Sequence, residues 1–229
     1  MIDVSLLKRK NMRPNIVASV IPEKNFTEQI RGISSKLEEF YCIPEFRMDM
    51  GIEKDREYVK KYMKELDEYD LLNIFTYRTT NPDIASGMYE IALQNDDSIL
   101  DIDMDILNKI ELDFPLNRSI ISSHFQNPVE FRDRFSALNE YKFSAIKLAS
   151  FFDELTLLDI AWFLKHSNSG RILSIVPQGP DNQPMRIASA ILASDFMYSS
   201  MGKAVVDGQY KAEILNEIMN LIYGSVDGK

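Results

Sequence analysis

The sequence predicts a closed (β/α)8 barrel, and three observations lead there. Short apolar runs rich in β-branched and aromatic residues alternate with longer amphipathic stretches along the whole chain. Repeated strand-then-helix units imply parallel strands, and about eight of them in 229 residues suit a closed barrel better than an open doubly wound sheet. No glycine-rich phosphate loop follows the first strand, where Ser19-Val20-Ile21-Pro22 stands, and this weakens the dinucleotide-binding alternative.

The first strand is expected at Asn15–Ile21 and the first helix at Glu23–Tyr41, where Ile30, Ile33, Leu37 and Phe40 recur at helical spacing. Cys42–Met48 is the next strand, followed by a helix over Asp55–Tyr69 with Val59, Met63 and Leu66 on one face. The run Leu71–Thr76 precedes a helix near Pro82–Asn95. Ser98–Asp103, Arg118–Ser123 and Ala145–Ala149 read as strands, with helices near Met104–Ile110, Pro128–Tyr141 and Asp153–Lys165. Arg171–Val176, a helix starting near Pro184, a short run at Phe196–Ser199 and a last helix over Gln209–Ile222 complete the chain.

Hydrophobic residues make up 45% and charged residues 27%, and no charge run, low-complexity stretch or composition break divides the chain, so residues 1–229 are read as a single domain. No apolar run is long enough for a membrane span, and Met1–Arg13 lacks the apolar segment of a signal peptide. With one cysteine, Cys42, there is no internal bridge and no thiolate cluster, so a reducing, cytoplasmic setting is expected. The formal charge of −9 argues against nucleic acid and acidic membrane surfaces as partners. An anionic ligand must therefore be gathered by a local cluster of Arg and Lys.

Parallel strands covered on both faces are usually apolar throughout, so charges inside them need a reason. In Pro44–Met50 the strand period of two sets Glu45, Arg47 and Asp49 on one face and turns Phe46, Met48 and Met50 toward the helices. The same period pairs Thr76 with Arg78, Asp101 with Asp103, and Ser122 with His124. In Ala145–Ala149 a lone lysine, Lys147, sits between apolar neighbours. Five consecutive strands thus carry an ionisable group toward the C-terminal end, where barrel enzymes build their sites. A secluded amine is the kind of group that attacks a ketone, and His124 is the natural proton carrier because imidazole titrates near neutrality. The other histidine, His166, falls at a helix C-terminus, where a structural role suffices.

At these residues the sequence resembles type I 3-dehydroquinate dehydratase, a Schiff-base enzyme of the shikimate pathway. The motifs run in family order: Ser19, Glu45-Phe46-Arg47-Met48-Asp49, Phe75-Thr76-Tyr77-Arg78-Thr79, Ser122-Ser123-His124-Phe125, Ile146-Lys147-Leu148-Ala149, then Arg186 and Asp207-Gly208-Gln209. The resemblance implies that Lys147 forms an imine with the substrate ketone and His124 moves protons. It implies that Glu45, Arg47 and Arg78 hold ring hydroxyls, that Arg186 and Gln209 bind the carboxylate, and that Ser19 belongs to the substrate site. It implies no cofactor and no metal, and a homodimer, for which the apolar stretch with Leu155, Leu158, Ile160, Trp162 and Phe163 could serve as interface or equally as core.

Some positions depart from the family pattern. Pro82 stands where the carboxylate that orients the histidine usually lies, leaving Asp83 as its candidate substitute. Val205 replaces a carboxylate-binding serine, Met185 rather than serine precedes Arg186, and the lid segment Pro177–Pro184 is unusually rich in proline. A class I aldolase-like Schiff-base lyase and a catalytically inactive barrel serving as a binding module are the competing readings.

Overall fold

The computed structural model describes residues 2–167 and 170–225. Strands and helices alternate as β1 Asn15–Val20, α1 Phe26–Phe40, β2 Cys42–Arg47, α2 Arg56–Glu68, β3 Asn73–Thr76, α3 Pro82–Leu93, β4 Ser98–Asp103, α4 Met104–Leu107, β5 Ser119–His124, α5 Phe131–Glu140, β6 Ala145–Ser150, α6 Glu154–Ser167, β7 Ile172–Pro177, α7 Gln183–Leu192, β8 Phe196–Ser200 and α8 Ala212–Tyr223. The eight strands are parallel and form one sheet in the order β7-β6-β5-β4-β3-β2-β1-β8, as a (β/α)8 barrel requires. The β7–β8 seam closes differently. Asp195 N donates to Leu173 O at 2.7 Å, Leu173 N to Asp195 Oδ2 at 2.9 Å, and Ile175 N to Ser194 Oγ at 2.9 Å, so side-chain acceptors stand in for ladder carbonyls. Of the expected span 1–229, Met1, 168–169 and 226–229 lie outside the described residues.

The strand period of two sorts the barrel interior into tiers. Val17, Ile74, Ile99, Ile120, Ala145, Ile172 and Phe196 form a buried apolar tier. Two residues further along the same strands come Ser19, Thr76, Asp101, Ser122, Lys147 and Ser174, all buried and polar, with Tyr198 and, from β2, Glu45. The next step of two reaches Arg47, Arg78, Asp103, His124, Ala149 and Val176 at the rim. A larger apolar cluster on the opposite strand faces packs the barrel against its helices.

The sequence reading did not foresee the 3₁₀ turn Val4–Leu7. Its Val4 and Leu7 pack into the apolar tier, and Val4 N donates to Asn117 O at 2.8 Å, so the segment plugs the N-terminal end of the barrel. The strand pattern over Pro44–Met50 also stops early. Arg47 opposite Thr76 is the last pair with β3; beyond it the chain has no ladder partner and turns into a 3₁₀ segment, Met48–Met50. Met50 is therefore left partly exposed instead of packing under a helix, and Asp49 swings back onto Arg47. The last helix begins at Ala212, three residues beyond Gln209: Gly208 at φ +75° turns the chain just before Gln209, and Lys211, the N-cap, is still extended.

Candidate active site

The eight residues singled out in the sequence, Ser19, Glu45, Arg47, Arg78, His124, Lys147, Arg186 and Gln209, all line one cavity of about 350 Å³ at the C-terminal end of the barrel. Strand geometry brings six of them there directly. Arg186 arrives instead from the first turn of α7, and Gln209 from the turn before α8, so neither sits on a strand.

Lys147 is not in apolar surroundings. Ile146 and Leu148 point outward into the helical layer, while the amine points into a polar nest. Nζ donates to Asp101 Oδ2 at 2.8 Å, lies 3.7 Å from Glu45 Oε1, and sits 4.0 Å from the centre of the Tyr198 ring. Asp101 Oδ1 accepts from Arg78 Nη2 at 2.7 Å. Burial opposes the charge on Asp101, but Arg78 and Lys147 outweigh it and hold the carboxyl far below its ordinary range. Burial likewise opposes the charge on Arg78, and Asp101 more than restores it. Thr76 Oγ1 and Ser19 Oγ donate to the two oxygens of Glu45 at 2.9 and 2.6 Å. Asp101 and Tyr198 were not among the predicted site residues. Asp101 was visible as one half of the Asp101/Asp103 pair on β4, whereas an inward tyrosine on a strand reads simply as core.

The carboxylate that orients His124 is Asp103, and Asp83 does not take that role. His124 Nδ1 lies 2.9 Å from Asp103 Oδ2, and Asp103 Oδ1 accepts from Asp105 N at 3.0 Å as the N-cap of α4. Asp83 is exposed in the first turn of α3, where its own N–H bonds the Asn81 cap. The reason is geometric: Asp103 and His124 occupy the same tier of adjacent strands, while Pro82 starts a helix that leads Asp83 away. An ionised carboxylate only accepts, so Nδ1 carries the hydrogen and the neutral ring keeps its free lone pair on Nε2. Burial and the Arg78 guanidinium lower the His124 pKa, and the bond to Asp103 works against that shift. For Asp103, burial opposes charge, but His124 and Arg78 together hold it below the usual carboxylate range.

The opposite end of the cavity is built of Val176, Gln178, Val205, Val206 and Arg186. Arg186 is 4% exposed, its Nε has no hydrogen-bond partner, and its Nη2 reaches only the Asp207 carbonyl at 3.3 Å. Burial without a counter-charge lowers its pKa to about 10. Arg47 differs, because Asp49 grips its Nε and Nη2 at 2.9 and 2.7 Å. Gln209 is already committed: Nε2 donates to Ser199 O at 2.7 Å and Ser19 Oγ at 3.1 Å, and Oε1 accepts from Val205 N at 3.0 Å. Among the described residues, no group of three or more His, Cys, Asp or Glu side chains is placed to hold a metal ion. His166 lies apart, its ring centre 4.4 Å from that of Trp162 and its Nδ1 bonded to the Trp162 carbonyl at 2.7 Å.

No family model matches the chain. It is 24% identical over 217 residues to the 3-dehydroquinate dehydratase of Thermoplasma volcanium, covering 91% of this chain and 89% of that protein. The corresponding protein of Thermoplasma acidophilum is 23% identical over 216 residues, covering 93% and 92%. Among solved structures, a type I 3-dehydroquinate dehydratase from Clostridium difficile, holding covalently modified comenic acid, superposes with a TM-score of 0.72 at 18% identity, covering 92% of each chain. The 3-dehydroquinate dehydratase of Geobacillus kaustophilus gives 0.74 at 13% identity over 96% of this chain and 98% of that one. The two solved structures share the barrel, and the curated relatives carry the likeness along nearly the whole sequence.

Proposed function

We propose that this chain, which belongs with the 3-dehydroquinate dehydratases, removes water from 3-dehydroquinate to give 3-dehydroshikimate through an imine on Lys147. The observation that carries the reading is one cavity holding a lysine amine, a carboxylate-oriented histidine and, at its far end, a buried arginine with no counter-ion among the described residues.

Asp101 accepts from Nζ and fixes where the amine points; Lys147 must shed a proton before it attacks the ketone. Loss of water from the carbinolamine gives a protonated imine, which draws electrons from the adjacent carbon. His124, with Nε2 free, removes a proton from that carbon, and the resulting enamine expels the neighbouring hydroxyl, which leaves as water with the proton returned by the imidazolium. A second water then hydrolyses the imine and frees Lys147, so the net change is loss of one water. Arg78 Nη1 is buried without a hydrogen-bond partner and faces the same space as Glu45 and Arg47, a set suited to the ring hydroxyls. Arg186 supplies the planar charge for the carboxylate, in a chain whose net charge of −9 would otherwise repel it.

Borohydride reduction with 3-dehydroquinate should add one ligand to the peptide carrying Lys147. A label on Lys142, or none, would refute the assignment, and trapping by a sugar phosphate in its place would favour the aldolase-like reading. We further read residues 1–229 as one catalytic unit acting in the cytoplasm; no helix of the described residues is long and apolar enough to cross a membrane. We also read α6 as the pairing face of a homodimer. Its Leu157 and Ile160 are core, but Leu155, Leu158 and Trp162 are 79%, 56% and 62% exposed on its outer side. A mass measured in solution at twice the chain mass, falling on Leu158→Glu, would support this.

A further inference from the structure

Tyr198 is the group beside the amine that the proposed mechanism leaves unused. It points inward from β8, is 6% exposed, packs with Ile172 and Phe196 of the apolar tier, and lines the cavity as well. Its ring centre is 5.9 Å from that of Phe196 and 4.0 Å from Lys147 Nζ. The ring is thus a boundary between the apolar tier and the charged one. Among the described residues its hydroxyl has no hydrogen-bond partner, so packing and not Oη sets where the ring stands. Burial, aided by the Asp101 and Glu45 carboxylates, keeps that hydroxyl protonated far past the ordinary phenol range, and the ring that meets the amine is neutral.

Other groups bear on the same nitrogen. Asp101 from β4 accepts from it at 2.8 Å, and Glu45 from β2 lies at 3.7 Å. Arg78 shares Asp101, and His124 stands two residues beyond the β5 partner of Lys147. An ammonium has three hydrogens to give. When Nζ bonds the ketone carbon, two of them leave with the ketone oxygen as water, and the protonated imine keeps one. That hydrogen can serve only one of the two carboxylates well. The negative face of an aromatic ring attracts a cation without taking a hydrogen bond, most strongly where water is excluded. Its hold on the nitrogen survives the loss of the hydrogens.

We propose that Tyr198 is a further catalytic residue: the face of its ring stabilises positive charge on the Lys147 nitrogen and so keeps the imine protonated, as the sink for electrons from the adjacent carbon. The part concerning the imine rests on the proposed function; the part concerning the free amine does not.

The test alters the charge distribution of the ring and little else. Tyr198→Phe is the parent, and fluorine atoms added to that ring, from one to all five positions, weaken its negative face stepwise at nearly constant shape. Each protein is checked for a cooperative thermal transition. The first measurement uses no substrate: trace acetylation of Lys147 by acetic anhydride at one fixed pH on the acid side of its titration, followed by peptide mass. Only the neutral amine reacts, and a cation–π contact changes an equilibrium by about three- to thirtyfold. The rate should therefore rise at least threefold from the parent to the fully fluorinated ring, in step with the number of fluorines. The second measurement adds 3-dehydroshikimate, whose carbonyl is conjugated with a double bond, so that its imine absorbs at longer wavelength when protonated. The pH at which that band is lost should fall by at least half a unit along the series. Acetylation that stays flat along the series, or that follows thermal stability and not fluorine count, would overturn the proposal. Should the fully fluorinated ring not be accommodated, the members with fewer fluorines set the slope, and a flat slope overturns the proposal equally. Acetylation that follows fluorine count in a protein forming no imine with 3-dehydroquinate would instead defeat the proposed function and leave the hold of the ring on the amine standing.

Discussion

The two ends of the cavity are built on different principles. Around Lys147 and His124 the working groups come from inward strand positions, with Arg78 two residues past the end of β3, and the carboxylates are partnered: Asp101 lies between Arg78 and Lys147, and Asp103 between Arg78 and His124. Around Arg186 the groups come from a helix start and a turn, and the one full charge is uncompensated. Strand-borne groups are held by ladders whose register tolerates no slip, because one residue of slip would turn the whole set outward. Groups borne on loops and helix ends owe their place to turns such as the one at Gly208. A strand-built centre with its charges paired suits chemistry that must be repeated in fixed geometry. An unpaired cation at the loop-built end is a buried cost that only an anionic ligand can offset.

The largest effect that separates the two ends should come from His124→Ala. Removing the proton carrier from the strand-built centre should slow turnover by about 10²–10⁴, while borohydride still traps the imine on Lys147. Near-normal turnover would mean that another group, such as Glu45, moves the proton, and the division of labour within the centre would be lost.

Asp103→Asn sharpens the same half. Asparagine can still accept from Nδ1, so the ring stays in place and only the charge is lost. On the scale seen for partners that orient histidines at metal sites, turnover should fall about ten- to a hundredfold. The pH profile gives the more specific reading. His124 must be neutral to take a proton, so activity rises as pH rises through its pKa. Burial and Arg78 already lower that pKa, and Asp103 is the group opposing them. Its removal should therefore move the acid limb of kcat/KM to lower pH. A limb that stays put would mean that Asp103 does not govern His124.

These residues also show what could be read from the sequence. The barrel and five of the eight candidate positions, Glu45, Arg47, Arg78, His124 and Lys147, followed from the strand pattern, because an inward face repeats every second residue whatever the loops do, while Ser19, Arg186 and Gln209 rested on the resemblance. Asp103 was visible as an inward group on β4, yet the resemblance drew attention to the loop after β3, and only the juxtaposition of neighbouring strands decides between Asp103 and Asp83. The bonds of Gln209 depend on a left-handed glycine and a close approach to Gly179, which no periodicity encodes. The plug Val4–Leu7 was missed because a single 3₁₀ turn is too short to carry a period.

At the loop-built end, Arg186→Ala should lower kcat/KM at least tenfold, since each charge-assisted bond to a carboxylate contributes roughly 1.5–3 kcal/mol. Arg186→Lys keeps the charge but loses the planar fork and should recover only part of the loss. Full recovery would make Arg186 a diffuse charge and not a clamp. Stability should move the other way. Burial lowers the Arg186 pKa to about 10, so at neutral pH the folded protein holds a guanidinium that water would hold better. Arg186→Met should therefore raise the unfolding midpoint of the ligand-free protein. A drop would mean that this end of the site is internally compensated after all.

The smallest effect is expected at Asp83, and its smallness is what tests the contrast between strand-borne and loop-borne groups. Asp83 is exposed and its place is explained by the helix it begins: Asn81 caps α3, Pro82 fixes the first turn, and an acidic residue there meets the positive end of the helix dipole. Asp83→Ala should then cost only about 0.3–1 kcal/mol of stability, with kcat and the acid limb of the pH profile unchanged within twofold. If Asp83→Ala shifted that limb as Asp103→Asn is expected to, a loop residue would be reaching His124 in the working enzyme. The β3–α3 loop would then have to fold over the rim when substrate binds, and Asp103 would be left with its other bond, the N-cap of α4.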